Sequence, residues 1–115
     1  MSTEQTKKVL VVEDEQDLRD ALKTALSYEH FETFAAGDGE EGLRVALLEK
    51  PDLILLDLMM PKMDGLSVLK ALRADEWGKG VTVIVMTALD DLERVAEVME
   101  HGGTEYLVKS NISLN

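Results

Sequence analysis

Cysteine is absent from this 115-residue chain, which excludes disulfides, thiol catalysis and thiolate metal sites. Two histidines, His30 and His101, are too few for a histidine-built metal centre, so any metal must be a hard cation held by oxygen. Basic residues are scarce as well. Twelve Lys and Arg against 23 Asp and Glu leave a formal net charge of -11. A surface of that sign repels phosphate backbones and anionic lipid, so neither direct nucleic-acid binding nor membrane binding is expected of this chain. No apolar run approaches the roughly 20 residues that span a bilayer, and the segment from Met1 to Lys8 lacks the apolar core of a signal peptide. The expected location is the cytoplasm.

What is present is enough apolar material, 45% of residues, for one domain with a single two-sided core. Strand and helix signals alternate along it. Val9-Leu10-Val11-Val12 is a β-branched run, followed by Leu18, Ala21, Leu22, Ala25 and Leu26 at helical spacing. Phe31 to Ala35 reads as a second strand, and Leu43, Ala46 and Leu47 as the stripe of a second helix. The third strand, Leu53 to Leu56, runs directly into Asp57. Gly65 opens a helix with Leu66, Leu69 and Leu72; Val81 to Met86 forms a fourth strand. Leu92, Val95, Ala96 and Met99 are expected to be the buried stripe of a fourth helix closed by Gly102 and Gly103. A short fifth strand, Glu105 to Val108, ends at Lys109. Such alternation implies right-handed crossovers and a doubly wound parallel sheet with helices on both faces.

Only Ser110 to Asn115 remain for a fifth helix, less than two turns at about 1.5 Å per residue. That helix is expected to be truncated or absent, leaving apolar residues of strands 1 and 5 without cover on one face.

In sheets of this kind, chemistry collects just beyond the carboxyl ends of the strands. The polar residues there are Glu13 and Asp14 after the first strand, Asp57 after the third, Thr87 after the fourth and Lys109 after the fifth. Three carboxylates in one crevice can coexist only if a cation joins them or a pKa rises. Mg²⁺ suits carboxylate and carbonyl oxygens and commonly bridges protein to phosphate, and with Lys109 it balances the trio. Phosphoryl transfer is catalysed mainly by positioning and charge balance, and a carboxylate can serve as nucleophile. Asp57 is the candidate nucleophile, with Glu13 and Asp14 holding the metal, Lys109 pairing with a phosphoryl oxygen and Thr87 donating a hydrogen bond to another.

Each residue has an ordinary explanation too. Asp57 alone is more often a turn or cap residue, and Glu13-Asp14-Glu15 a helix-start cluster favoured by the macrodipole. Thr87 fits any strand, and Lys109 any solvated edge. The ordinary explanations fail jointly, because solubility does not require these groups at the ends of four strands on one sheet edge.

The segments Val9-Leu10-Val11-Val12-Glu13-Asp14-Glu15, Asp57-Leu58-Met59-Met60-Pro61-Lys62-Met63-Asp64-Gly65, Met86-Thr87-Ala88 and Tyr106-Leu107-Val108-Lys109 together resemble the receiver domain of two-component response regulators, over Lys8 to Lys109. The resemblance implies a flavodoxin-like fold of strand order 2-1-3-4-5. It also implies phosphorylation of Asp57 by a histidine kinase or histidine phosphotransfer protein, with Mg²⁺ bound by Asp14, Asp57 and the Met59 carbonyl. A switch is implied in which Thr87 moves toward the phosphoryl group and Tyr106 changes rotamer, altering the helix 4, strand 5 and helix 5 surface offered to a downstream target or effector domain. Met59 and Leu89 occupy the positions that modulate phosphate loss in that family.

Two departures stand out. The family usually has Pro after the lysine, where this chain has Ser110, and the short fifth helix removes part of the face through which receivers dimerise or meet targets. The chain is therefore expected to be a receiver with an incomplete C-terminal helix, prone to self-association through the helix 4/strand 5 face. A pseudo-receiver that only binds a partner has no need of Asp14, Asp57, Thr87 and Lys109 together. A haloacid-dehalogenase-like phosphohydrolase requires a second Asp where Met59 stands, and a flavin carrier requires a Gly/Ser/Thr-rich loop after the first strand. The module is expected to accept a phosphoryl group rather than to act as a stand-alone enzyme.

Overall fold

The computed structural model describes residues 6–88 and 92–112. Five strands, β1 (Lys8–Val12), β2 (Glu32–Ala36), β3 (Leu53–Asp57), β4 (Thr82–Thr87) and β5 (Glu105–Val108), alternate with α1 (Gln16–Tyr28), α2 (Gly39–Glu49), α3 (Gly65–Ala74) and α4 (Leu92–Glu100). All strand pairs are parallel, in the order β2-β1-β3-β4-β5. This is the flavodoxin-like doubly wound sheet expected of the alternating pattern.

Strand residues alternate between two cores, because successive side chains point to opposite faces. Val9, Val11, Leu55 and Met86 pack beneath Leu18, Leu22 and Leu26 of α1. Leu10, Val12, Ile54, Leu56, Val83 and Val85 pack beneath Ala46 of α2, Val68, Leu69 and Leu72 of α3, and Val95 and Val98 of α4. The central strands are therefore apolar on both sides, which is why β1 and β3 read as continuous hydrophobic runs.

Local chemistry fixes the helix ends. Asp38 and Asp64 cap α2 and α3 by accepting from Glu41 N at 2.9 Å and Ser67 N at 2.8 Å. Gly102, at φ 104°, turns the chain out of α4, and Gly103 N donates to Val98 O at 3.1 Å. Arg73 of α3 secures that turn. Its guanidinium donates to Gly102 O at 2.7 and 3.1 Å, and at 2.7 Å to both Gly78 O and Val81 O.

Several expectations need correction. Strands β2 and β4 lie one residue later than Phe31–Ala35 and Val81–Met86 suggested. Phe31 is left 36% exposed, and Thr87 completes the β4 ladder. Ala96 is exposed; Val95 and Val98 carry the contact instead, since Ala96 is rotated about 100° from Val95 on a 3.6-residue helix. Leu92's side chain lies outside the described residues. Strand 1 is not left uncovered, because α1 buries Val9 and Val11 completely; of these two strands it is β5 that exposes large apolar side chains, Tyr106 and Leu107. After β5 comes a single 3₁₀ turn, Lys109–Asn111, and residues 113–115 lie outside the described part. No cis peptide bond occurs among the described residues, so Ser110 follows Lys109 through a trans link. No helix among them is long and apolar enough to cross a membrane.

Candidate functional site

Helices α1 and α3 leave the neighbouring strands β1 and β3 toward opposite faces, and a crevice opens between them at the carboxyl edge of the sheet. Asp57 ends β3 at this point, in register with Met86 and 3% exposed. Beyond it the chain folds back tightly. Leu58 N donates to Met86 O at 3.1 Å, Met63 N to Pro61 O at 2.7 Å, and Gly65 N to Leu58 O at 2.9 Å. Lys62 takes a left-handed conformation at φ 68° inside this turn. A Cβ at Gly65 would stand 2.4 Å from the Asp57 carbonyl oxygen, so only glycine lets α3 start this close to the main chain at the end of β3.

Glu13 and Asp14 follow β1 into the same crevice. One carboxylate oxygen from each of Glu13, Asp14 and Asp57 lies within 4.8 Å of the others. Lys109, just past β5, reaches in from the other side, placing Nζ 2.8 Å from Glu13 Oε1 and 3.1 Å from Asp57 Oδ2. Glu13 Oε2 accepts from Glu15 N at 2.9 Å, which folds the acidic loop back on itself.

The charges in this arrangement do not cancel. Burial, reinforced by the neighbouring Glu13 carboxylate and only partly offset by Lys109, pushes the Asp57 carboxyl up to about 7. Burial also works against the Lys109 charge, but hydrogen bonds and attraction from Glu13 and Asp57 outweigh it and raise its pKa. Three carboxylates face one ammonium. Glu13 Oε1 is buried without a well-directed hydrogen bond despite its close ion pair, leaving lone-pair capacity for a cation or its bound water. The donor set is all oxygen and anionic, which fits a hard divalent ion and no soft one.

The other sequence candidates sit around this centre in different ways. Thr87 is buried at the end of β4 and its hydroxyl donates to Ala88 O at 3.1 Å, so it makes a local bond. Met59, two residues past Asp57, is 47% exposed. Tyr106 pairs in register with Val85 and is also 47% exposed. Leu89 lies outside the described residues. Sequence reasoning missed Arg19, whose guanidinium donates to the carbonyls of Glu13 at 2.9 Å and Asp14 at 3.4 Å. The available signal was an arginine within a turn of the acidic run, where a helix can fold it back over the loop.

Comparison with known proteins agrees with this geometry. A family model described as the response regulator receiver domain matches residues 9–113. The probable transcriptional regulator ycf27 of Cyanophora paradoxa is 43% identical over 103 residues, a match covering 90% of this chain and 42% of that protein. The chain thus spans less than half the length of the curated relatives it matches. Among solved structures, the chemotaxis response regulator CheY4 of Vibrio cholerae aligns at a TM-score of 0.89 and 30% identity, over 96% of this chain and 91% of its own. The receiver domain of the sensor histidine kinase PA1611 from Pseudomonas aeruginosa aligns at 0.85 and 28% identity, over 96% and 89%; that structure holds a magnesium ion in its active-site cleft.

Proposed function

The chain belongs to the response regulator receiver domains, phosphoacceptor modules of two-component signalling rather than stand-alone enzymes, and we propose that Asp57 is its phosphoacceptor. The observation that carries this is the Asp57 carboxylate at a strand end, 3.1 Å from Lys109 Nζ and grouped with Glu13 and Asp14. The donor is the phosphohistidine of a histidine kinase or histidine phosphotransfer protein. An Asp57 oxygen forms the bond to phosphorus as the phosphorus–nitrogen bond breaks, and the released imidazole nitrogen takes up a proton.

Each surrounding group has a part. Asp57 attacks in its ionised form, which Lys109 favours electrostatically. Lys109, with three donors, pairs with a phosphoryl oxygen, and the Thr87 hydroxyl turns from Ala88 O toward another. Asp14, Asp57 and the Met59 carbonyl would hold Mg²⁺, with Glu13 contributing directly or through water. The ion would supply positive charge to balance that of the carboxylates and the phosphoryl group. Tyr106 follows the Thr87 movement and changes the α4/β5 surface, which a downstream target, an effector domain or a second copy then reads. Met59 and Leu89 occupy the sequence positions that modulate phosphate loss in this family. The location is cytoplasmic.

Incubation with acetyl phosphate and Mg²⁺, followed by intact mass, tests the reading. Addition of one phosphoryl group to the protein and none to Asp57→Asn is expected. Equal labelling of both, or of neither, overturns it.

A further inference from the structure

Glu13, Asp14 and Glu15 are three acidic residues in a row, joined by Asp17 in the first turn of α1. Their mutual repulsion works against any single loop shape. The usual device for fixing such a loop is missing, since Glu15 is the N-cap of α1 and makes no side-chain capping bond. Two other devices replace it. One is the bond from Glu15 N to Glu13 Oε2 at 2.9 Å. The other is Arg19, which projects from α1 back over the loop. One of its terminal nitrogens donates to Glu13 O at 2.9 Å and reaches Asp14 O at 3.4 Å. The β2–α2 connection lies against the same nitrogen: a Cβ at Gly37 would stand 3.1 Å from it. Gly37 is held in turn by donating to Glu41 Oε1 at 2.9 Å.

The chemistry of the partners matters. Lys109 meets the carboxylate oxygens of Glu13 and Asp57 themselves, the atoms a metal would use. The Arg19 guanidinium donates instead to main-chain carbonyls of the same loop. It can therefore set where the Glu13 and Asp14 carboxylates point without itself occupying their oxygens.

We propose that Arg19 is a positioning residue for the divalent-cation site, its grip on the Glu13 and Asp14 carbonyls fixing the loop that presents the Asp14 and Glu13 carboxylates. This rests on the reading of Glu13, Asp14 and Asp57 as the Mg²⁺ site. Outer groups that orient ligands affect metal affinity by about tenfold or more when removed. The sign of the effect separates geometry from charge. A guanidinium acting only as a nearby positive charge would repel Mg²⁺, so its removal would tighten binding; a guanidinium that orients ligands would, on removal, weaken it.

Calorimetric titration of the unphosphorylated protein with MgCl₂ tests this, for the unsubstituted chain, Arg19→Met and Arg19→Lys, alongside amide NMR of residues 13–15 and urea unfolding without metal. Arg19→Met is expected to weaken Mg²⁺ binding by about tenfold and to shift the amides of Asp14 and Glu15. Arg19→Lys, which keeps the charge on a shorter arm, is expected to lose less but still to bind more weakly than the parent. Unchanged or tighter binding by Arg19→Met overturns the proposal. Should Arg19→Met fail to fold, Arg19→Lys decides: affinity equal to the parent makes charge sufficient and overturns the geometric role. A parent chain that binds no Mg²⁺ overturns the underlying site assignment instead.

Discussion

Lys109 Nζ lies 2.8 Å from a Glu13 carboxylate that has no contact with solvent, closer than its 3.1 Å approach to Asp57. In the metal-free protein the lysine is thus the internal counterion of Glu13 first. Removing one partner of a buried pair leaves the other charge uncompensated. Lys109→Met is therefore expected to destabilise the metal-free protein by about 1–3 kcal/mol, below the full cost of a buried pair because the lysine is a quarter exposed. Glu13→Gln should couple with it, the double variant losing less than the sum of the single losses. Urea unfolding of the four proteins measures this, and additive losses would contradict the pairing.

Asp57 gives the protein a pH dependence of unusual sign for an aspartate. Its carboxyl is raised by burial from 3.8 to about 7 in the folded, metal-free state. Between those values the folded protein keeps a proton that the unfolded chain has released, so stability from this group falls as pH rises through that window and levels off above it. Asp57→Asn removes the dependence and is expected to stabilise the metal-free protein above neutrality by more than about 1 kcal/mol. Mg²⁺ should raise the melting temperature of the parent, and a chelator reverse it, with little response from Asp57→Asn. Melting curves across pH, with and without MgCl₂, check both; a parent whose stability rises between pH 4 and 7 in this comparison would refute the shifted carboxyl.

The order of elements and the crevice residues were legible in the sequence because they depend on short-range rules. Apolar runs bounded by breakers mark strands, and a carboxylate at the end of such a run must face the carboxyl edge. Side-chain reach was not legible. The sequence places Glu13 and Lys109 at the ends of β1 and β5, but only the sheet order, which separates these strands by two others, requires a long lysine to cross the crevice. Arg19 and Arg73 were missed for the same reason: both bind main-chain carbonyls that only the fold brings within reach, and for Arg19 the one signal was its place a turn beyond the acidic run. Ala96 was misplaced because alanine fits either side of a helix, and its neighbours on the sheet decide which side is buried.

Arg73 supports a third prediction. Its guanidinium meets three carbonyls, those of Gly78, Val81 and Gly102, and so ties α3 to the start of β4 and the end of α4. Burial lowers its pKa, but the group stays charged, and charge-assisted bonds to carbonyls are the stronger kind. Arg73→Lys keeps the charge but cannot span three acceptors, and is expected to cost about 1–3 kcal/mol. The loss should be local as well as global. Hydrogen exchange at Gly102 and Gly103 should accelerate more than exchange in β1, whose bonds Arg73 does not touch; uniform acceleration would show that the arginine supports the whole fold rather than the α4 terminus.

The proposed role of Met59 in phosphate loss from the same carboxylate gives a further prediction. It stands two residues after Asp57, nearly half exposed, and its thioether offers only a weak acceptor to water. A phosphoaspartate at Asp57 would be lost when water attacks phosphorus in line, so a neighbour that cannot orient that water should leave the phosphorylated form long-lived. Met59→Asn introduces a carbonyl and an amide at this point without altering the main-chain carbonyl proposed for the metal. Phosphate loss, followed by intact mass after removal of acetyl phosphate, is expected to be several-fold faster in the variant, on the order of the gain from positioning one water. The Mg²⁺ concentration for half-maximal phosphorylation should stay the same. A slower or unchanged loss would place the limiting step away from Met59, and a changed Mg²⁺ requirement would show that its side chain, not only its carbonyl, shapes the cation site.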